Sequence, residues 1–130
     1  MAFLQIKLDR KSLRSIIDRG VVSRRIRAYL REIKAEIVRL FRLPKSGRYY
    51  RKPNGRLYQA SAPGEPPAIR TGGLMRSVKE AFPNWATGEI VIDEPADWLE
   101  RGTRRMRKRP FVRPALRTVN AKFGDVRARL

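Results

Sequence analysis

The sequence contains no cysteine and no histidine in its 130 residues. Without cysteine there is no disulfide framework, no thiolate chemistry and no cysteine zinc site. Without histidine there is no Ser-His-Asp triad, no Cys-His pair and no histidine-held metal. Acidic residues are scarce too: 12 Asp and Glu stand against 31 Lys and Arg, a net charge of +19. No apolar run approaches the ~20 residues of a membrane span. The opening apolar patch of Phe3, Leu4, Ile6 and Leu8 is broken by Gln5 and Lys7, so it does not read as a signal peptide. A cytosol-like compartment, or a particle assembled there, is expected. There is no P-loop, no GxSxG and no Gly-rich dinucleotide turn. Asp93, Glu94, Asp97 and Glu100 offer carboxylates for a metal nuclease, but nothing in their spacing makes them converge. Neither an enzyme nor a cofactor or metal site is expected.

What is present is one domain's length of chain, enough to bury about two thirds of its unfolded surface. A charge of +19 opposes a compact monomer by self-repulsion and favours a polyanionic or acidic partner. Arginine far outnumbers lysine, which suits two-pronged contacts to phosphate or carboxylate. Nucleic acid, an anionic membrane surface and acidic protein neighbours all remain open on charge alone.

Residues 3 to 8 alternate as a short strand does, and Asp9 can cap a brief helix through Leu13, Ile16 and Ile17 that Gly20 ends. From Val21 to Leu43, apolar side chains at Val22, Ile26, Tyr29, Leu30, Ile33, Ile37, Leu40 and Phe41 fall within about a third of a helix circumference. Pro44 closes this helix. Its opposite face carries Arg24, Arg27, Arg31, Lys34, Arg39 and Arg42, with Glu32 and Glu36 on the flank. Such faces usually mix signs. This one is nearly all cationic, which points to DNA backbone or an acidic neighbour. Residues 47 to 59 read as a hairpin turning at Pro53-Asn54-Gly55, with Arg48, Arg51, Lys52 and Arg56 about its tip. Its tyrosines can stack bases or pack on a neighbouring element, and packing is the preferred reading.

Three prolines between Pro63 and Pro67 stiffen an extended segment, after which Thr71 can cap a short helix through Leu74, Val78 and Phe82 that Pro83 stops. Glu89 to Ile92 is the run most inclined to form a strand. No Lys or Arg occurs from Ala81 to Glu100, and a dense basic cluster from Arg101 to Arg113 follows at once. That juxtaposition suits head-to-tail contact between identical subunits closing into a ring, or equally a match within one chain. A last helix starts with Pro114 at its first position and runs through Leu116, Val119, Phe123, Val126 and Leu130, weakened by Gly124. The fold class expected is α+β: a long amphipathic N-terminal helix packed on a small antiparallel sheet, with a C-terminal helix.

Two blocks stand out. The first is Ala60-Ser61-Ala62-Pro63-Gly64-Glu65-Pro66-Pro67 with Thr71-Gly72, Leu74 and Ser77. The second is Trp98-Leu99-Glu100, Gly102-Thr103, Met106 and Arg109-Pro110-Phe111 with Pro114-Ala115-Leu116. In this order, after a long amphipathic helix, they resemble a family of head–tail joining proteins, the small neck or tail-completion components of long-tailed phages. The resemblance spans a little under half the chain, and departs from the pattern at Lys108 and at Pro95-Ala96. It implies a virion component without catalysis at the head–tail junction, assembled in the host cytoplasm as a ring or in several copies. Its expected partners are further copies, the stopper, tail-terminator and tail-tube proteins, and genomic DNA threading the channel. Pro67, Thr71, Gly72, Leu74, Trp98, Glu100, Gly102, Thr103, Arg105, Arg109, Pro110 and Phe111 are then expected at subunit or partner contacts. The arginine-rich helix face is expected toward DNA, through backbone contacts indifferent to sequence. A free nucleic-acid-binding module and a cationic membrane-surface protein are the alternatives.

Overall fold

The computed structural model describes residues 4–9, 19–70 and 72–123. Strand β1 (Leu4–Asp9) leads to the long helix α1 (Arg19–Arg42), then to a hairpin of β2 (Tyr49–Arg51) and β3 (Leu57–Gln59). The short helix α2 (Gly73–Arg76), strands β4 (Lys79–Asn84) and β5 (Thr87–Ile92), and helices α3 (Ala96–Arg101) and α4 (Val112–Lys122) follow. The chain is α+β, as its periodicities predict. The brief helix expected after Asp9, and the end of the last helix at Val126 and Leu130, lie outside the described residues. Gly20 does not end a helix; it sits in the first turn of α1.

All eight apolar positions predicted for the inner face of α1 are buried. They face a three-stranded antiparallel sheet of order β1-β5-β4. Strand β5 lies in the centre, paired with both β1 and β4, and its alternating burial turns Ile90 and Ile92 inward beside Leu4 and Ile6 of β1. Gly88 makes the close approach possible: a Cβ there would stand 2.5 Å from both Ile26 Cγ2 and Leu30 Cδ1. On its other flank α1 packs against α4, where the Tyr29 and Phe123 rings meet edge to face at 5.4 Å and the Tyr29 hydroxyl donates to Asn120.

The helix expected over Leu74 to Phe82 is one turn long, and Phe82 and Pro83 belong to β4. The competing demand is tertiary. Central β5 needs a second antiparallel partner, and Lys79 and Ala81 supply it opposite Val91 and Glu89. Ser77 ends α2 by donating its hydroxyl to the Leu74 carbonyl while accepting the Asp93 N–H. Pro83 falls where the β4–β5 register breaks, on an edge strand, which is where a residue without an N–H is tolerated. Thr71 lies outside the described residues, and the cap position of α2 is held by Gly72 with φ 82°.

Helix α4 begins at Val112, so Pro114 is its third residue and not its first. The reason is Glu100. Its carboxylate, only 2% exposed, accepts the N–H groups of Phe111 (2.8 Å), Val112 (2.9 Å) and Arg113 (3.0 Å). A helix leaves four N–H groups without internal partners at its start. Here one carboxylate takes three, and the fourth position is Pro114, which has no N–H at all. The positive end of the helix dipole adds to these charge-assisted bonds. Replacing Glu100 by Ala should cost about 2–4 kcal/mol, and Glu100→Gln, which keeps one acceptor oxygen, less than that. Urea denaturation of both variants measures it; losses below about 0.5 kcal/mol for Glu100→Ala would show that the cap is dispensable.

Candidate partner interface

The two sequence blocks fold into one unit. The Gly64 N–H donates to the Lys108 carbonyl at 3.0 Å, and Arg109 Nε to the Ser61 carbonyl at 3.4 Å. The Arg109 N–H closes the second block on itself through the Leu99 carbonyl at 2.6 Å. Between α3 and α4 the chain doubles back at Gly102, with φ 79° and no room for a side chain: a Cβ would lie 3.0 Å from the Lys108 nitrogen. Thr103 holds this loop by accepting the Arg105 and Met106 N–H groups on its hydroxyl.

A second carboxylate fastens the proline segment to the rest. Glu65 accepts the Ala62 N–H at 2.9 Å, the Ser46 N–H at 3.1 Å and the Ser46 hydroxyl. The segment is thereby tied to the exit of α1, where Lys45 donates its ammonium to the Leu40 carbonyl at 2.8 Å. The Ser46 hydroxyl, then the Ala62 and Ser46 amides, hold the Glu65 carboxyl below its ordinary value. Burial pushes the Lys45 ammonium down, and the charge of Glu65 partly opposes that.

An apolar groove of about 380 Å³ runs along the joined blocks, lined by Phe41, Tyr58, Pro67, Leu74, Leu99 and Arg109 among others. Of the predicted contact residues, Pro67, Gly72, Leu74 and Arg109 therefore meet in one place. Thr103 and Arg105 stand exposed on the basic loop, Trp98 is 48% exposed on α3, and Pro110 is half-buried. Glu100 and Phe111 go elsewhere. Glu100 is the buried cap of α4, and Phe111 is fully buried with its ring 5.0 Å from that of Phe41. Both act within the chain, because the helix start and the core claim them. Asp97 pairs with Arg101 at 2.8 Å, so the acids from 93 to 100 turn to different tasks. Among the described residues no group of three or more acidic side chains could hold a metal ion, and no helix is long and apolar enough to cross a membrane.

The cationic face of α1 is real but less open than its sequence suggests. Arg24, Arg31 and Arg42 are exposed and Lys34 is half-buried. Arg27 lays its guanidinium over the Phe82 ring at 4.1 Å, and Arg39 is bound to the Glu36 carboxylate, which it holds below its ordinary pKa.

The packing preferred for the hairpin tyrosines fails for Tyr49 and Tyr50, which are exposed, and holds for Tyr58. The hairpin register joins Tyr49 with Gln59, Tyr50 with Tyr58 and Arg51 with Leu57. Tyr49 is 67% and Leu57 61% exposed, while Tyr50 stacks on Tyr58 across the strands at 5.8 Å. Tyr58 alone keeps the packed reading, half-buried in the groove wall with Phe41 and Leu74, while Lys52 and Arg70 also approach its ring. The reason for the exposure of the other two is topological, since β2 and β3 form a sheet of their own. The turn at Pro53-Asn54-Gly55 is as predicted, with Gly55 at φ 84° and its N–H on the Lys52 carbonyl.

Glu65 and Glu100 are the residues whose roles sequence reasoning missed. Each sits inside a recognised block, yet its partners lie up to nineteen positions away and, the Ser46 hydroxyl apart, are backbone N–H groups that carry no side-chain signal. Compared with protein-family models, with curated proteins and with solved structures, the chain matches none.

The lowered Glu65 pKa fixes a pH response. A carboxyl whose folded value lies below its unfolded one stabilises above the unfolded value and loses this as pH falls through the folded one. The tie between Ser46 and Ala62 should therefore loosen on acidification past the usual carboxylate range. Amide exchange at Ser46 and Ala62, corrected for its intrinsic pH dependence, should lose protection there, and Glu65→Gln should lack that transition. Unchanged protection throughout the carboxylate range would refute the role of Glu65.

Proposed function

We propose that this protein is a non-catalytic structural subunit of the neck of a long-tailed phage, joining or completing the head–tail interface around the DNA channel. The observation that carries the reading is the union of the two resembling blocks. They share hydrogen bonds, line one apolar groove and carry the basic loop from Arg101 to Arg109 beside it. A surface so built suits protein–protein contact, since it offers apolar area, a cationic rim and a backbone fixed by internal carboxylates.

Charge supports head-to-tail contact between copies. The stretch from Ala81 to Glu100 has no Lys or Arg, and Asp93 and Glu94 in it are exposed. The next copy's basic loop, with Arg104, Arg105, Arg107 and Lys108 exposed, is its complement. Heterologous contacts of this kind close into rings when the rotation permits. Pro67, Leu74, Trp98 and Arg109 are the residues assigned to contacts between subunits or with the neighbouring neck and tail proteins.

Deleting the gene from its parent genome tests the proposal. Electron microscopy should then show DNA-filled heads separate from tails, or joined particles that fail to deliver DNA. Intact infectious particles would refute the neck role and favour a nucleic-acid-binding module.

A further inference from the structure

The hairpin β2–β3 is a charged ribbon with no acidic residue. Between positions 48 and 59 it carries Arg48, Arg51, Lys52 and Arg56 with three tyrosines and no carboxylate. None of the four cations makes an ion pair among the described residues. Its ladder continues past the strands: Gly47 donates to Ala60, Ala60 to Arg48, and Lys52 to Arg56 at 2.7–2.9 Å. The ribbon is thus paired from base to tip, and Arg51 further braces the tip by donating to the Gly55 carbonyl at 3.1 Å.

Two hollows beside the ribbon repeat this chemistry. One of about 360 Å³ is lined by Lys52, Pro53, Asn54 and Arg70. Another of about 240 Å³ has Arg48, Tyr50 and Arg109 in its wall. Neither has a carboxylate. The register sets Arg48, Lys52 and Arg56 on one face of the ribbon and Arg51 on the other, and a polyanion with regularly spaced charges engages several of these cations at once. Two strands lie about 4.8 Å apart, so a ribbon with its side chains fits the ~12 Å major groove of duplex DNA.

On α1, by contrast, Glu36 neutralises Arg39 and Glu32 lies on the flank. The hairpin's own contacts, Arg51 on the Gly55 carbonyl and Lys52 over the Tyr58 ring, leave its charges without a carboxylate. We propose that the hairpin β2–β3, not the face of α1, is the element that holds duplex DNA, with Arg48, Arg51, Lys52 and Arg56 on the phosphates. The proposal rests on the neck reading only for the source of the DNA, the genome in the channel. Tyr49, exposed beside Arg51, adds contact area without sequence preference.

The test is fluorescence anisotropy of the full-length protein with a ~30-base-pair duplex of arbitrary sequence. Two variants carry the same change in net charge: R51E/K52E/R56E on the hairpin and R24E/R31E/R42E on α1. All six side chains are half-buried or exposed, and circular dichroism checks that both variants fold. The hairpin variant should weaken duplex binding by about 100-fold at 0.1 M salt and lower the salt slope by roughly three contacts, and the α1 variant should weaken it by about fivefold or less. Equal losses in both would reduce the effect to net charge, and a larger loss in the α1 variant would reverse the assignment; either overturns the proposal. So would tenfold tighter binding to a single strand of equal length, or a wild-type protein that ignores DNA while the hairpin variant alone fails to self-associate. These failures would leave the deletion phenotype of the neck reading untouched, so the two can fail separately.

Discussion

The Glu100 carboxylate, enclosed by the protein and holding three N–H groups at the start of α4, is the contact on which the second half of the chain depends. It sets where α4 begins. It also fixes the span between α3 and α4, which must loop out through Gly102 and return at Arg109. The basic loop owes its shape to that span. A buried carboxylate without such partners would be strongly unfavourable, so burial of Glu100 and the start of α4 are coupled. Glu65 plays the matching part in the first block, tying the proline segment to the exit of α1. Each block thus carries one glutamate that holds backbone, and the groove lies between the two.

The helices and strands that were legible in the sequence are those whose signals are local. The periodicity of α1, the β-branched run of β5 and the Pro53-Asn54-Gly55 turn all report on neighbours within a few residues. What was illegible depends on distant backbone. Phe82 and Pro83 read as the end of a helix because nothing nearby says that β5 requires a partner. Pro114 reads as a helix start because the acceptor that moves the start to Val112 lies a dozen residues upstream, on another helix. Phe111 and Glu100 look like surface contact residues inside a motif, yet the core and the cap take them. The convergence of Pro67, Leu74 and Arg109 was legible only through the resemblance, since no spacing rule links them.

The exposure of Tyr49 and Leu57 has a similar origin. A two-stranded sheet has two faces, and this one turns Tyr50 and Tyr58, with Arg48 and Lys52, toward the hollows beside it, and Tyr49 and Leu57 away. Composition gave the basic and aromatic content of the hairpin but not which side faces solvent. On the neck reading the molecule divides its labour: the joined blocks meet protein, while the hairpin carries cations free of carboxylates.

The central claim, a structural role at the head–tail junction, is tested most directly by cryo-electron microscopy of the neck in particles made from the genome that encodes the chain. The expected result is a ring of this fold at the junction, with the joined blocks between subunits or against the next neck component. Purified infectious particles without this protein, or with it bound away from the junction, would contradict the claim.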